Sequence, residues 1–468
     1  MVLFFLGIGG IGMSALARYF HHRGDRVVGY DRTPSDLTHE LEAEGITISY
    51  VDAVEFLQSL GLAAEDTLVV RTPAVPEDSV LFTYFREHGF TIRKRAEVLG
   101  MVTAEKKALC VAGTHGKTTT STMLAHLMNI YGKNLQKTTG DGVNAFLGGI
   151  SMNYHTNLLL DKQSEYVVVE ADEYDRSFHH LTPYMSVVTA VDADHLDIYG
   201  TAEAYREAFA HYTSLITGAL VMKHGIHLKP RLQKGVKCYT YGVRNDQMVN
   251  DQMVNGPDFY AGNIRVSEGR ILFDFHTPED VVKDVELGVP VWVNIENAVA
   301  AMAVAWLNGV PEEELREGVA SFKGVLRRFN IHVNTPEVVY IDDYAHHPEE
   351  IATAIDSIRK LFPHRRLIGV FQPHLYTRTR DFADDFARVL GTMDEVVLLP
   401  IYPARELPIA GVNSEMLLAK ITNPNKRILP KPELVNYLSG RKNEGAVILT
   451  VGAGDIDRLV GDITKALG

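Results

Sequence analysis

The chain has 468 residues, 46% hydrophobic and 22% charged, with a formal net charge of −13. That length allows about three domains, each with enough apolar residues for a core, and the acidic balance argues against a general nucleic-acid binder, which needs a basic face. Its two cysteines, Cys110 and Cys238, are too few for a four-cysteine zinc site or a disulfide framework, and no stretch approaches the roughly 20 apolar residues that span a bilayer. The apolar start Met1–Leu6 runs straight into glycines, without a basic region or cleavage site. It therefore reads as a strand and not as a signal peptide, and a reducing cytoplasm is the expected compartment.

Val2–Leu6 is predicted as a strand, followed by Gly7-Ile8-Gly9-Gly10-Ile11-Gly12 and a helix through Met13–His22. Arg26–Tyr30, closing on Asp31, and Thr67–Arg71 read as further strands, so this part alternates strand and helix as nucleotide-binding α/β folds do. A second α/β stretch starts near Lys107. It has a strand Ala108–Ala112, the loop Gly113-Thr114-His115-Gly116-Lys117-Thr118-Thr119 and a helix from Lys117 to about Asn129. Tyr166–Val169 and Ser186–Val191 are short apolar runs of the kind that form buried parallel strands. From Gly225 to Pro290 the pattern weakens: Ile271–Phe275 reads as a strand of a smaller antiparallel region, and Asp246–Asn250 repeats as Asp251–Asn255 in a polar loop. A helix Ile295–Leu307 follows. The last part starts around Phe322, with strands Val338–Ile341, Leu367–Phe371, Glu395–Leu399 and Ala446–Val451. Each leads into a polar or glycine-containing turn, where functional groups of open parallel sheets gather.

Two of these turns suit phosphates. Gly7–Gly12 has the spacing G-x-G-x-x-G between a strand and a helix, and Asp31 ends the next strand, so a dinucleotide and a UDP-sugar both remain open there. Gly113–Thr118 is more specific. Lys117 would neutralise β- and γ-phosphate charge and the Thr118 hydroxyl would ligate magnesium, although Val111 stands where the full P-loop pattern has glycine. Glu170 follows a buried strand, where a carboxylate can hold a second magnesium, with Asp172, Glu173 and Asp175 crowding the same turn. Asp192-Ala193-Asp194-His195-Leu196-Asp197 follows the next strand, and a histidine so placed among carboxylates points to a metal or substrate contact.

The loop Gly113–Thr119, Glu170-Ala171-Asp172-Glu173, Ala193-Asp194-His195, Asn294-x-x-Asn297-Ala298, Leu326-Arg327-Arg328-Phe329, Asp342-Asp343-Tyr344-Ala345-His346-His347-Pro348 and Phe371-Gln372-Pro373-His374-Leu375-Tyr376-Thr377-Arg378-Thr379-Arg380 together resemble the Mur ligase family. The motifs occur in order over nearly the whole chain. The resemblance implies an α/β fold of three domains: Rossmann-like 1–104 for a UDP-sugar, a central P-loop ATPase-like mixed sheet 105–321 for ATP, and Rossmann-like 322–468 completing the ATP and amino-acid sites. It implies ATP-dependent joining of L-alanine to the lactoyl carboxylate of UDP-N-acetylmuramate, through an acyl phosphate, with two magnesium ions. It implies a monomer or weak homodimer without nucleic-acid or membrane partners.

Carried over by position, Gly113, Thr114, His115, Gly116, Lys117, Thr118, Thr119, Asn294, Asn297, Arg328 and Asp343 fall to ATP. Gly9, Gly10, Ile11, Gly12, Asp31, Thr72, Arg95 and His115 fall to the UDP-sugar, and Tyr344, His346, His374 and Arg378 to the amino acid. Thr118, Glu170 and His195 fall to metal, and Lys117, Glu170, His195, Arg328 and His346 to catalysis. Leu375 stands where the family usually carries arginine, which shifts carboxylate recognition to Arg378 or Arg380. A dehydrogenase would leave Lys117, Thr118 and Glu170 idle, and a non-enzymatic P-loop switch would leave the N-terminal turn and the His374–Arg380 cluster idle.

Overall fold

The computed structural model describes residues 1–72, 74–193, 196–244, 256–267, 269–404 and 406–468. The repeated Asp246–Asn250 and Asp251–Asn255, and the Asp194-His195 pair, lie outside the described residues.

The first sheet has five parallel strands: β1 (Val2–Leu6), β2 (Arg26–Tyr30), β3 (Thr47–Ser49), β4 (Thr67–Arg71) and β5 (Thr91–Lys94), in the order β3-β2-β1-β4-β5. Successive side chains of a strand face opposite sides, and β1 shows the result. Phe4 and Leu6 join a core with Val28, Val69 and Phe85, while Leu3 and Phe5 join another with Leu16, Val27 and Val70. The second core continues through Ala108, Cys110, Val167 and Val169, so the first and second sheets share apolar packing.

The second sheet has ten strands: β6 (Lys107–Ala112), β7 (Asn144–Phe146), β8 (Leu158–Leu159), β9 (Tyr166–Glu170), β10 (Pro183–Val188), β11 (Ala219–Lys223), β12 (Lys237–Val243), β13 (Phe259–Ser267), β14 (Arg270–His276) and β15 (Val281–Glu286). Their order is β15-β14-β13-β12-β11-β10-β6-β9-β7-β8. Only β8 is antiparallel to its neighbour among the pairs from β8 across to β13, so the sheet is mixed. Two expectations are corrected here, and a third is met in part. The strand expected at Ser186–Val191 is Pro183–Val188; the Thr189 amide still donates to the Ala112 carbonyl, and beyond it the Ala190 carbonyl accepts from the Thr114 amide of the loop after β6. The region after Gly225 holds the expected strand, as β14, while β11, β12 and β13 pair in parallel and extend the central sheet. Its signal is weak because burial alternates along β14 and does not run continuously. The helix expected to Asn129 runs from Lys117 to Gln136, with buried positions out to Gly132.

The third sheet holds β16 (Asn330–Asn334), β17 (Val338–Asp343), β18 (Leu367–Phe371), β19 (Glu395–Leu398), β20 (Lys426–Ile428) and β21 (Ala446–Val451), in the order β16-β17-β21-β18-β19-β20. All its pairs are parallel except β16 with β17. Asp342 and Asp343, expected in a turn, are the last residues of β17. The core of this sheet is built on Tyr340, Ile368, Val370, Val397 and Ile448.

The chain divides into two compact units. One is Met1–Asn263, Asp274–Val285 and Glu296–Ser321; the other is Ile264–Phe273, Glu286–Ile295 and Phe322–Gly468. Among the described residues no helix is long and apolar enough to cross a membrane.

Candidate active site

In the first unit, β1 delivers the chain into the Gly7–Gly12 turn. The Gly7 and Ile8 amides donate to the Tyr30 carbonyl, and the Gly9 amide donates to Asp31 Oδ2 at 2.7 Å. The helix Ile11–Arg23 then starts on Gly10 with no side-chain cap, leaving first-turn amides of the kind that receive anions. A Cβ on Gly12 would fall 3.0 Å from Arg95 Nη1, so glycine there lets the guanidinium lie on the turn. Thr72 lies against Gly7 from the end of β4.

The second turn follows β6. The Thr114 amide donates to the Ala190 carbonyl at 3.1 Å, and its hydroxyl to the Asp192 carbonyl at 2.8 Å. Tyr205 Oη lies 3.0 Å from the same hydroxyl. The loop is thus pinned to the end of β10, while the exposed His115 and the first residues of the helix Lys117–Gln136 are left facing outward. Lys117 Nζ donates to Gly113 O at 2.6 Å, Thr114 O at 3.3 Å and Glu173 Oε1 at 2.9 Å. Burial pushes the Glu173 carboxyl up from its ordinary range, and Lys117 pulls it back down. Asn297 Oδ1 accepts from Thr120 Oγ1 at 3.1 Å, which sets Asn297 beside the loop.

A cavity of about 250 Å³ lies beside the first turn, with Ile11, Gly12 and Arg95 on one side and Gly148, with Glu170 and Asp172 at and after the end of β9, on the other. Arg95 and Asp172 form an ion pair at 3.7 Å within it. Glu170 is the last residue of β9 and lies against Gly148, where a Cβ would fall 2.1 Å from Oε2. The hydroxyl of Thr118 and the carboxylate of Glu170 are hard oxygen donors of the kind magnesium takes, and Gly148 makes the room Glu170 needs. Among the described residues no group of three His, Cys, Asp or Glu side chains could hold a metal; His195 lies outside them.

In the second unit, Asp342 and Asp343 end β17. Arg327 Nε donates to Asp342 Oδ2 at 3.3 Å and Nη2 to the Gly452 carbonyl at 2.7 Å, with the Asp342 side chain only 1% exposed. Asp343 accepts from the amides of Phe329 (2.7 Å) and Ala345 (2.6 Å), and burial raises its pKa to about 6. Arg328 lies over the exposed Tyr344 ring, 5.7 Å from its centre. His346 Nδ1 lies 3.0 Å from the Tyr344 carbonyl and 3.7 Å from Glu350 Oε2; burial lowers its pKa, against the opposing pull of Glu350. The His346 and His374 rings are 6.2 Å apart, His374 stacks on Tyr402, and Arg378 Nη1 is 3.4 Å from His374 Nδ1. The short helix that carries Arg378 is held by Glu406, which accepts from the Thr377 amide at 3.0 Å and its hydroxyl at 2.5 Å.

The structure thus brings together Gly9 with Asp31, Gly12 with Arg95, and Lys117 with its own loop in the first unit, and Tyr344, His346, His374 and Arg378 in the second. Asn294 falls in the second unit and Asn297 in the first. Sequence reasoning named Glu173 and Arg327 without giving them a role, and passed over Glu350, Tyr402 and Glu406. Their charge and position gave no sign of what they do, because each acts through a partner distant in sequence or through backbone amides.

A P-loop-like turn on a mixed sheet, a second glycine turn with a cavity beside it and a separate α/β unit are the marks of a multidomain nucleotide-dependent enzyme. Family models match the chain in three consecutive blocks: the Mur ligase family catalytic domain at residues 3–107, the Mur ligase middle domain at 111–305 and the Mur ligase glutamate ligase domain at 327–454. The chain belongs to the Mur ligase family. It is 56% identical over 467 residues to a UDP-N-acetylmuramate–L-alanine ligase of Parabacteroides distasonis, covering 99% of this chain and 97% of that protein. It is 45% identical to one of Flavobacterium psychrophilum, covering 99% of this chain and 98% of that protein. The crystal structure of UDP-N-acetylmuramate-alanine ligase from Thermotoga maritima matches with a TM-score of 0.77 at 28% identity, over 99% of this chain and 98% of that one.

Proposed function

We propose that the chain joins L-alanine to the lactoyl carboxylate of UDP-N-acetylmuramate while ATP is cleaved to ADP and phosphate. This is the first amino-acid addition in the synthesis of peptidoglycan precursor, and its place is the cytoplasm. The observation that carries the reading is the cavity beside the first glycine turn, lined by Gly12 and Arg95 on one side and by Glu170 on the other; it supports the meeting there of a sugar-bound carboxylate with the γ-phosphate of ATP. The shared name of the relatives supports the substrates. Three functional domains, 1–104, 105–321 and 322–468, accord with the ends of the helices Arg95–Ala104 and Glu312–Ser321.

In this reading Gly9–Gly12 hold the diphosphate on backbone amides, with Asp31 fixing the turn and Thr72 and Arg95 at its sides. Gly113–Thr119 hold the ATP phosphates, with Asn294, Asn297 and Asp343 for the rest of the nucleotide. Thr118 would hold one magnesium, with Glu170 and His195 for a second; magnesium would supply charge neutralisation between the two anions. The carboxylate oxygen attacks the γ-phosphorus, the bond to ADP breaks, and an acyl phosphate forms. Lys117 and Arg328 stabilise the charge of that transfer. The amine of L-alanine then attacks the acyl carbon, phosphate leaves, and an amide remains. Tyr344, His346, His374 and Arg378 orient the amino acid, and His346, largely neutral because burial lowers its pKa, is a candidate to take the amine's proton. Exclusion of water by the third domain protects the acyl phosphate.

The test is phosphate release with UDP-N-acetylmuramate, ATP and each amino acid in turn, with the product weighed by mass spectrometry. A mass gain of one alanyl residue is the expected result. A product formed only with a preformed peptide would replace this reading with a recycling ligase.

A further inference from the structure

We infer that Glu173 is a dock for the Lys117 ammonium that competes with the nucleotide phosphates, and so weakens ADP binding enough for product to leave. The inference rests on reading Gly113–Thr119 as the ATP loop. The Glu173 side chain is only 2% exposed, and Lys117 is its ion-pair partner. Oε1 carries that pair, with Tyr205 Oη at 3.5 Å, while Oε2 is buried with no hydrogen-bond partner among the described residues. A half-satisfied buried carboxylate is costly, and the surrounding loop is built to hold it in place. The Tyr199 hydroxyl donates to the Glu173 carbonyl at 2.5 Å, Arg176 lies over the Tyr199 ring, and Asp175 and Arg176 follow in left-handed conformations at φ 50° and 55°. Consecutive non-glycine residues of that kind persist only where the surroundings enforce them.

The consequence follows from charge. Phosphates that draw Lys117 away leave Glu173 buried without its cation. Every nucleotide-bound state therefore carries that penalty, and departure of ADP is rewarded when the ammonium returns to Glu173. Glu173 acts through Lys117 and is a positioning residue.

The experiment is a double-mutant cycle on the full-length protein, reading the Kd of ADP with magnesium by calorimetry and kcat with KM for ATP. Glu173→Gln keeps the shape and removes the charge. A charged hydrogen bond becomes a neutral one, and the expected result is an ADP Kd about tenfold lower, with KM for ATP lowered and kcat not raised. In a Lys117→Met background the same change should move the Kd less than twofold. Glu173→Asp, which keeps the charge but shortens its reach, gives an intermediate tightening and serves if the glutamine variant does not fold. An unchanged or weaker Kd in Glu173→Gln overturns the dock. An equal tightening with and without Lys117 overturns it too, since plain repulsion between Glu173 and phosphate would then suffice. Should Lys117→Met alone leave the ADP Kd unchanged, the ATP-loop reading itself fails, which is a separate outcome.

Discussion

The Asp31 carboxylate accepts a hydrogen bond from the Gly9 amide at 2.7 Å, and its other oxygen accepts from Thr33 at 3.2 Å. In a dinucleotide fold the acid at this position holds a ribose. Here it holds its own glycine turn and fixes the angle at which the helix Ile11–Arg23 begins. Asp31→Ala should therefore raise KM for the UDP-sugar about tenfold, the cost of one charged hydrogen bond, and leave KM for ATP unchanged. Initial rates at saturating concentrations of the other substrates measure both.

In the proposed function the adjacent arginines Arg327 and Arg328 divide structure from chemistry. Arg327 is spent on Asp342 and the Gly452 carbonyl, with its side chain 11% exposed. Removing one partner of a buried pair costs about 3 kcal/mol, so Arg327→Ala should lower the melting temperature by several degrees. Arg328→Ala should melt with the parent and lose at least a hundredfold in kcat, as expected for a cation that acts on transferring phosphate. Thermal melts beside steady-state rates separate the two.

This division was not legible in the sequence, where the two residues are the same letter twice. The larger outlines were legible. The strand, glycine turn and helix at each phosphate cradle follow from apolar runs that end on glycines, and Val2–Leu6, Arg26–Tyr30, Thr67–Arg71 and Leu367–Phe371 fall where periodicity puts them. The end of β10 was missed because Thr189 and Val191 are good strand formers, yet past Thr189 the backbone serves the adjoining loop, with the Ala190 carbonyl accepting from the Thr114 amide. Glu173 was given no role because Glu170, Asp172, Glu173 and Asp175 are chemically alike in a list. Only the fold gives Asp172 and Asp175 to Arg95 and Lys94, and sends Glu173 inward to Lys117.

His126, on the helix that follows the phosphate loop, sets a pH limit. Its Nδ1 meets Tyr154 Oη at 2.6 Å and its Nε2 meets Ser321 Oγ at 3.0 Å. Burial, with a smaller push from Lys133, lowers its pKa to about 4. Above the ordinary histidine range both the folded and unfolded chains are neutral here, and nothing is lost. As pH falls from about 6.5 toward 4 the unfolded chain takes the proton first, so stability declines across that window by about 3 kcal/mol from this group. His126→Gln should show a flatter dependence of unfolding free energy on pH between those limits. Parallel curves for the two proteins, measured by urea titration, would show that His126 is not the group responsible.

Leu375 occupies the helix-start position of the amino-acid segment at φ 69°, with its amide on the Tyr402 carbonyl at 3.0 Å and no charge to offer a carboxylate. Two arginines follow it. Arg380 is 53% exposed and pairs with the neighbouring Asp381 at 2.7 Å. Arg378 sits one helical turn past His374 and points its guanidinium at that ring, beside His346. In the proposed function the carboxylate of L-alanine therefore falls to Arg378. A bidentate guanidinium is not replaced by a point-charged ammonium, so Arg378→Lys should raise KM for L-alanine about tenfold while KM for ATP stays within twofold. Arg380→Lys should change neither by more than twofold. If KM for L-alanine rises in the Arg380 variant and not in the Arg378 variant, the assignment passes to Arg380. The same assay addresses selectivity: a pocket that closes on a methyl group should favour L-alanine over glycine and L-serine, and equal kcat/KM for all three would mean that no such pocket forms.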